Sequence, residues 1–583
     1  MHLGPYERHL ELIQEVTRTA AVGDCLKPFT RSTGQEATDA GMRSVRTAAK
    51  VFSSLLGRPF ELDQPGQLGR VITETSPYGI HLGISYPRCD PAAQVAAAAR
   101  AMAGWRSAGL HQRAGLATEI LRRLNIRSHE LALAVHHTTG QPLEAAFRAA
   151  GPRAQDHALE TVAYAFAECA RVPEDLHTKS PRRRRQPVTM QGTSTLVPRG
   201  VSLLIGCPDY PLWNGYPGMF ASLVTGNPVI VAPHPRAVLP LAITVRIARE
   251  VLTEAGHDPN IVTLAVAQPE EHLCRRLATD PAVRIVDFTG SARFADWLEQ
   301  HARQAAVFAS RTGPNTVLVD STEDYQGLVR GLARSLCLSS GTVRTTPQNI
   351  LVPATGIATD EGSKSLRDLG SDLCEAMERL LGHPARGARL LSAIAGAEVP
   401  ASLAQAARYG RVLHASRRVR HPDCPAADLR TPLLVRLAAR DEQIYAREWP
   451  GPVAFLVDTD STSHSLTLFR RTARAHGALY ASVHSTNPLV LAAAEAASLD
   501  VGVHLVQNVS DELPADPTSG IAGLPVTGAH FITGRFQVML SWRHVVATES
   551  GGAAAAGEAA GKPKPIRLRK QSNTIRLAPA ALS

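Results

Sequence analysis

Between residues 200 and 305 short apolar runs alternate with longer helical patterns, and this alternation restricts the fold more than any other feature. The apolar runs are GVSLLIG (200–206), NPVIVAP (227–233), IVTLAVA (261–267) and RIVDFTG (284–290). The helical segments are NGYPGMFASLVTG (214–226), RAVLPLAITVRIAREVLTEAG (236–256), one around 270–280 and SARFADWLEQHARQA (291–305). Strands this apolar are buried on both faces, so the pattern predicts a parallel, doubly wound α/β sheet.

A second α/β region follows the first. Its predicted strands are TVLVD (316–320), NILVP (349–353) and VAFLVD (453–458), with a helix over 324–338. A single core stops growing near about 250–300 residues, so a chain of 583 residues is expected to form two or three domains.

The part before residue 200 reads mainly as helices and connections. Helical periodicity is found around 8–22 and 36–56, and the Ala-rich stretch 92–175 has helical spacing. The segment TKSPRRRRQP (178–187) is charged and flanked by proline, which predicts an exposed connector.

The net charge of +10 is concentrated in two places. Residues 182–185 are four consecutive arginines, and residues 551–583 carry six basic side chains against Glu558. The tail has a low-complexity composition that cannot bury apolar surface, so we expect residues 549–583 to form a disordered basic tail. No aromatic residues are interleaved with either run, which argues against a stacking surface for nucleic acid.

The eight cysteines are scattered and none forms a C-x-x-C pair. This spacing argues against disulfides and against a metal site. The first twenty residues carry charges throughout, and no window offers the roughly 20 apolar residues of a membrane span. We therefore expect a cytoplasmic protein.

Six fragments, in order along the chain, carry a family resemblance. They are CPDYPLWNGYPG (207–218), TGNPVIVAPHP (225–235), DFTGS (287–291), SSGTVRTTPQNI (339–350), EWPGP (448–452) and GRF (534–536). Together they resemble the aldehyde dehydrogenase superfamily, and in particular its phenylacetic-acid-degradation branch, the PaaN-type ring-opening enzymes.

The resemblance implies an α/β aldehyde dehydrogenase fold: a Rossmann-like parallel cofactor domain, an α/β catalytic domain and an oligomerisation arm. The implied division is a mostly helical N-terminal extension (1–75), the cofactor domain (76–312, with 485–510 returning to it), the catalytic-type domain (313–484), the arm (511–548) and the tail. A homo-oligomer and a small aldehyde or acyl-type ligand are also implied.

In such enzymes a cysteine thiolate attacks the aldehyde, hydride passes to NAD or NADP, and a glutamate activates water. The oxyanion is held by an asparagine side chain, for which Asn214 matches, and by a backbone N–H. The resemblance places Arg344 at the nucleophile position and Ser310 at the position of the general base. A guanidinium cannot attack a carbonyl, and a serine hydroxyl cannot hold the proton of water near neutral pH.

The cofactor positions are partly kept. Ala232 stands where the family has a ribose-binding lysine, followed by the expected Pro233. Glu448 matches the second ribose-binding residue. The turn of Thr289, Gly290 and Ser291 is where a pyrophosphate would meet helix N–H groups, although the losses make binding of NAD or NADP doubtful.

Three functional hypotheses follow. The first is a degenerate family member, a pseudoenzyme or altered-chemistry homologue that acts as a binding or scaffold subunit, with Arg344 as an ordinary pocket residue. The second is an active enzyme of the same fold, an NAD(P)-dependent aldehyde oxidoreductase with Arg344 as an anion clamp and with water or a substitute nucleophile such as Cys207, which follows an apolar strand directly, as the reactant. The third is a polyanion-binding interaction protein. Cys337, His234 and His530 are interpreted as structural residues.

Overall fold

The protein is described by a computed structural model. It covers residues 4–21, 26–33, 39–180, 188–343, 345–510 and 532–545. The predicted disordered tail, residue 344 and residues 511–531 of the predicted arm lie outside these ranges. No helix among the described residues combines the length and the apolar character that a bilayer crossing requires.

The first part of the chain is mainly helical. Its elements are the helices Pro5–Ala21 (α1), Pro28–Thr33 (α2) and Asp39–Leu55 (α3), the antiparallel strands Gln67–Val71 (β1) and Tyr86–Cys89 (β2), and the helices Pro91–Ser107 (α4), Gly109–Ile126 (α5), Ser128–Thr139 (α6), Leu143–Ala150 (α7) and Pro152–Ala170 (α8). The helices predicted around 8–22 and 36–56 are confirmed. The helical character predicted for 92–175 is confirmed as far as residue 170.

Side chains of α5 and α8 hold the N-terminal helices in place. His9 Nε2 lies 2.9 Å from Glu119 Oε2 of α5. Asp156 of α8 accepts hydrogen bonds of 2.9 Å from the backbone N–H groups of Phe29 and Thr30, at the start of α2. The N-terminal helices are therefore docked on the helical layer.

The next two strands, Asp175–Ser180 (β3) and Val188–Pro198 (β4), pair as an antiparallel hairpin. The prediction of an exposed connector over 178–187 is therefore wrong for residues 178–180, which lie in β3, while 181–187 lie outside the described ranges. Charged and polar residues in both strands hid the strand pattern. Residues 175–193 and 541–545 belong to a small unit separate from the main body.

The predicted doubly wound sheet is confirmed. Its elements are Val201–Ile205 (β5), Pro211–Val224 (α9), Val229–Ala232 (β6), Leu239–Glu254 (α10), Val262–Leu264 (β7), Leu273–Ala278 (α11), Val283–Gly290 (β8), Ala292–His301 (α12) and Ala306–Arg311 (β9). The strand order is β7-β6-β5-β8-β9, all parallel.

The central strand β5 explains where a ligand can bind in this sheet. All five of its residues are buried, as the apolar run predicts. The chain leaves β5 to build β6 on one side and β8 on the other. In open parallel sheets, a ligand crevice forms at the carboxyl ends of the strands around such a switch point.

The second α/β region continues the chain. Its elements are Thr316–Val319 (β10), Ser321–Thr322 (β11), Tyr325–Cys337 (α13), Asn349–Pro353 (β12), Ile357–Thr359 (β13), Gly362–Lys364 (β14), Leu366–Leu381 (α14), Pro384–Leu390 (α15), Val399–Ala406 (α16), Arg411–His414 (β15), Arg418–Val419 (β16), Leu429–Arg430 (β17), Leu433–Ala438 (β18), Glu442–Tyr445 (α17), Val453–Thr459 (β19), Thr462–His476 (α18), Tyr480–His484 (β20), Pro488–Val501 (α19), His504–Gln507 (β21) and Phe536–Val545 (β22).

Seven of these strands form a sheet of order β15-β18-β19-β12-β10-β20-β21, parallel except for the edge strand β15. The predicted return of residues 485–510 to the cofactor domain is wrong, because β21 pairs with β20 in this second sheet. Strand β22 joins the hairpin as a three-stranded sheet of order β22-β4-β3.

Candidate active site

A cavity of about 440 Å³ lies at the carboxyl ends of the strands of the five-stranded sheet. Its wall includes Cys207 and Asn214 after β5, residues 289–291 at the end of β8, residues 341–343 after α13, and Glu448. The structure thus brings together, on one cavity wall, residues that the sequence suggested from four separate fragments.

The loop between β5 and α9 forms one wall of the cavity. Asn214, in the first turn of α9, donates from Nδ2 to Cys207 Sγ at 3.2 Å and to the backbone oxygen of Asp209 at 3.2 Å. The Cys207 thiol donates to the same backbone oxygen at 2.6 Å. The Asn214 amide therefore donates a hydrogen bond to the Cys207 thiol. A donor in this place is suited to stabilising a thiolate or a nearby oxyanion.

Asp209 is a charged residue of this wall that the sequence analysis missed. It lines the cavity and is half-buried. Burial raises the pKa of its carboxyl to about 6; Arg236 opposes this shift, and Glu398 and Glu448 add to it. Its place in the loop after a central parallel strand, where ligand-binding groups gather, was the signal that could have found it.

The turn that precedes residue 344 has an uncommon backbone. Ser339, Ser340 and Gly341 have φ values of 49°, 51° and 73°. Left-handed backbone is costly for residues with a Cβ and tends to occur at functional sites. Ser340 Oγ accepts from the backbone N–H of Ser392 at 3.0 Å and donates to its oxygen at 3.1 Å, which holds the turn in this form.

The residues that flank position 344 also line the cavity. Val343 and Thr346 both form part of its wall, and the Thr346 N–H donates to the Val343 oxygen at 2.9 Å. The residues on both sides of position 344 thus border the cavity, although Arg344 itself lies outside the described residues.

Ser310, at the predicted base position, lies in β9. It lines a small cavity of about 40 Å³ whose wall it shares with Cys207, Asn214 and Thr289. Ser310 therefore lines the same small cavity as the Cys207 thiol and the Asn214 amide. Its hydroxyl can contribute a hydrogen bond there but cannot act as a strong base.

The cofactor positions fit a dinucleotide only in part. Ala232 ends β6 with 1 % of its surface exposed, and Pro233 follows it, also buried. A methyl group there can hold no ribose hydroxyl. Residues 289–291 form the turn from β8 into α12, as predicted, and Glu448 accepts a 2.7 Å hydrogen bond from Thr312 Oγ1. The turn at 289–291 and the Glu448 carboxylate suit a dinucleotide, whereas Ala232 does not.

The remaining candidates have structural roles or fall outside the described residues. Cys337 is fully buried in the core, and burial raises the pKa of its thiol to about 12. His234 Nδ1 accepts from the backbone N–H of Arg236 at 3.1 Å, and burial lowers the pKa of His234 to about 4. His530 is not among the described residues, and in the described ranges no three His, Cys, Asp or Glu side chains cluster to hold a metal.

Curated relatives match part of the chain. N-succinylglutamate 5-semialdehyde dehydrogenase of Burkholderia vietnamiensis is 27 % identical over 276 residues, which are 46 % of this chain and 53 % of that protein. The chain thus spans about half the length of the curated relatives it matches.

Solved structures match over most of the chain. A structure described as an NAD-dependent aldehyde dehydrogenase from Burkholderia multivorans is 41 % identical, with a TM-score of 0.89 over 94 % of this chain and 100 % of that one. The 1-pyrroline-5-carboxylate dehydrogenase from Thermus with bound NAD is 16 % identical, with a TM-score of 0.65 over 87 % of this chain and 97 % of that one, and shows the fold alone.

The model of the aldehyde dehydrogenase family matches residues 71–523. This range includes both parallel sheets and every wall of the cavity. The chain belongs to the aldehyde dehydrogenase family.

Proposed function

We propose that this protein is a PaaN-type member of its family that binds a small carbonyl or acyl compound but does not oxidise aldehydes through residue 344. The supporting observation is the cavity of about 440 Å³, which keeps Asn214 and the frame of residues 341–343, while the sequence has arginine at the nucleophile position. Ligand binding needs only the cavity, whereas thiol-based oxidation needs the missing group.

The same proposal includes weak or absent binding of NAD and NADP. Ala232 supports it, because losing one charge-assisted hydrogen bond costs about 1.5–3 kcal/mol, roughly tenfold to more than a hundredfold in affinity. The pyrophosphate turn at 289–291 and Glu448 are kept, so any remaining affinity is expected to come from them.

A second candidate function is NAD(P)-dependent aldehyde oxidation with Cys207 as the nucleophile. The 3.2 Å contact between Asn214 Nδ2 and Cys207 Sγ favours it, since it places a thiol beside a hydrogen-bond donor on the cavity wall. Against it, Cys207 is only 6 % exposed, and buried cysteines are commonly inert packing.

One pair of measurements tests both candidates. Purified protein is titrated with NAD and NADP, and then assayed for reduced cofactor with aromatic and aliphatic semialdehydes, the class named for the curated relatives. We expect no micromolar binding and no turnover. Micromolar binding, or turnover by the wild-type chain, would refute the first proposal. Turnover that Cys207→Ser abolishes would establish the second.

We propose a homo-oligomer, in keeping with the family, and a small molecule as the ligand. The polyanion-binding alternative depends on residues 182–185 and on the tail, which are outside the described ranges. It requires salt-sensitive binding to nucleic acid, and a binding constant that does not change with salt concentration would exclude it.

A further inference from the structure

We propose that a cluster of histidines around Tyr78 makes one wall of the cavity sensitive to acid, and that protonation of the cluster releases residues 392–396 from helix α6. The histidine cluster consists of Tyr78, His136 and His137 of α6, and His421 of the second α/β region. None of these four residues lines the cavity itself. The proposal concerns the opening of the cavity wall and goes beyond the ligand binding proposed above.

The rings of the histidine cluster are in direct contact with one another. The His136 ring stacks on the Tyr78 ring with centroids 3.9 Å apart, and His137 and His421 meet the Tyr78 ring edge-on at 6.0 and 5.7 Å. The centroids of His136 and His137 lie 4.6 Å apart. Tyr78 is 4 % exposed, and the three histidines are partly buried. A positive charge on one imidazole would therefore lie close to the next, with little water to screen it.

Backbone hydrogen bonds occupy one nitrogen on two of these rings. His136 Nδ1 donates to the backbone oxygen of Gln141 at 2.6 Å, since a carbonyl oxygen can only accept. His421 Nδ1 accepts from the backbone N–H groups of Asp423 and Cys424 at 3.1 and 3.0 Å. A proton added to His421 Nδ1 would face both donors. Protonation would therefore break the turn that carries this ring.

The carbonyl of Gly140, the residue that follows α6, joins the cluster to the cavity wall. Tyr78 Oη donates to this oxygen at 2.9 Å, and the backbone N–H of Ala393 donates to it at 2.8 Å. Thr139 and Ala393 both line the cavity. Gly140 has a φ of 80°, and a Cβ there would lie 2.0 Å from the Ala393 oxygen, so this close approach requires glycine. A displacement of Tyr78 or of the end of α6 therefore acts directly on the cavity wall.

Burial makes protonation of His136 and His137 unfavourable in the folded chain. It lowers the pKa of each from 6.5 to about 4; His421 adds to the shift of His136, and His136 adds to that of His137. The hydrogen bond to Gln141 opposes the shift of His136. Because the pKa is lower in the folded chain than in an open one, the neutral cluster favours the closed form above pH 6.5. This advantage is lost as the pH falls to 4.

The neighbouring charges do not offset this effect. No carboxylate is among the groups that shift the pKa of His136 or His137. Helices α3, α7 and α10 pack against α6. Other titratable side chains on these elements, on α6 and on the two loops of the cluster are Arg43, Arg46, Lys50, His81, His129, Glu130, Glu144, Arg148, Arg246, Arg249, Glu250, Glu254, Arg420, Asp423 and Cys424. Acid therefore adds positive charge to the cluster without a paired carboxylate to balance it.

The test is amide hydrogen exchange of the full chain without any ligand, measured by mass spectrometry at pH 7 and pH 5 and corrected for the intrinsic effect of pH. The probe is the peptide that contains the N–H of Ala393. The peptide with the N–H of Gly206, which donates to Ala232 in the five-stranded sheet, reports general unfolding. Each histidine should make local opening about twentyfold more frequent at pH 5 than at pH 7, given the cited pKa values. The Ala393 peptide should therefore lose about 20–400-fold in protection, and the Gly206 peptide far less.

Three variants separate the contributions within the cluster. The double variant His136→Gln, His137→Gln removes both titrating rings but keeps polar side chains, so the Ala393 peptide should lose most of its pH dependence. His504→Gln, at an exposed histidine of β21, is the matched control and should behave as the wild type. Tyr78→Phe keeps the ring but removes the hydroxyl. Its Ala393 peptide should exchange faster at pH 7 and still respond to pH.

Three results would overturn the proposal. The first is equal protection of the Ala393 peptide at both pH values, and the second is an equal loss of protection in the Gly206 peptide. The third is a double variant with the pH dependence of the wild type. If circular dichroism shows that the double variant is not folded at pH 7, His421→Gln and the comparison of the two wild-type peptides decide the matter. The measurement uses no ligand and no cofactor, so the proposed function is judged separately.

Discussion

Tyr210 Oη donates a 3.2 Å hydrogen bond to Ser339 Oγ. Both residues have left-handed backbone, with φ of 51° and 49°. The contact joins the loop that carries Cys207 and Asn214 to the turn that precedes position 344. This hydrogen bond thus links the loop of residues 207–214 to the turn of residues 339–341, and the backbone of both segments is strained.

The first prediction concerns this contact. Tyr210→Phe and Ser339→Ala should each lower the free energy of unfolding by about 0.5–1.5 kcal/mol, the usual value of a hydrogen bond. The double variant should lose less than the sum, and urea unfolding of all four proteins measures the difference. Tyr409→Phe, whose exposed hydroxyl accepts from Gln405, is the control. Fully additive losses would show that the two residues are not coupled.

The second prediction concerns a buried ion pair between Arg535 and Asp287. Arg535 is fully buried, its Nη1 donates to Asp287 Oδ2 at 2.9 Å, and it also donates to Ser222 Oγ at 2.6 Å. Arg535→Met should cost about 3–5 kcal/mol, because a carboxylate is left buried without its partner.

A matched surface pair provides the control for the second prediction. Arg470 pairs with Asp500 on the exposed sides of α18 and α19, and Arg470→Met should cost about 1 kcal/mol or less. Equal losses for Arg535→Met and Arg470→Met in urea unfolding would contradict the importance assigned to the buried pair.

The third prediction concerns Glu74, a buried carboxyl that accepts from the Leu239 N–H at 2.8 Å and from the Tyr86 hydroxyl. Burial raises its pKa from 4.5 to about 7, against the effect of its hydrogen bonds. Between these values the folded chain keeps a proton that the unfolded chain has lost. The free energy of unfolding should therefore fall, by roughly 3 kcal/mol in total, as pH rises from about 4.5 to 7.

Glu74→Gln should remove this pH dependence. The informative quantity is the difference in unfolding free energy between wild type and variant, measured at several pH values in that window. Glu144→Gln, an exposed carboxylate on α7, should leave the wild-type profile unchanged. If the difference in unfolding free energy between the wild type and Glu74→Gln does not change with pH, the prediction is wrong.

The fourth prediction rests on the proposed function and concerns Arg344, Ser310 and Ala232, which the family resemblance places at the nucleophile, base and ribose-binding positions. Arg344→Cys alone should restore little NAD(P)-linked aldehyde oxidation, since water activation and the ribose contact would still be missing. The triple variant Arg344→Cys, Ser310→Glu, Ala232→Lys should exceed every single variant by far, because such groups act as a unit and single repairs are strongly non-additive. Full activity from Arg344→Cys alone would show that positions 310 and 232 are not limiting.

The sequence predicted the parallel sheet well, for a physical reason. The run GVSLLIG predicted a strand over 200–206, and β5 is Val201–Ile205 with every residue buried. A short apolar run bounded by glycines is typical of a buried strand. The cavity wall could be anticipated too, because the fragments with Asn214, residues 289–291 and Glu448 follow strand ends or lie in the matching motifs.

Three features could not be read from the sequence. Left-handed backbone at Ser339 and Ser340 is imposed by contacts with residues far along the chain, and serine does not signal it. The short strand β21 gave no indication of which sheet it joins, because a helix followed by a strand can extend either one. Asp209 was missed because a single aspartate between two prolines reads as part of a turn.

The backbone of residues 339–341 has a consequence for how this family can change its chemistry. Its shape is set by hydroxyl contacts to Tyr210 and Ser392, and none of these contacts uses the side chain at position 344. A substitution at position 344 would therefore remove none of these three contacts. A mutation there can exchange one reactive group for another, or for none, while the surrounding scaffold stays in place. New chemistry can then arise from a neighbouring side chain without a new fold.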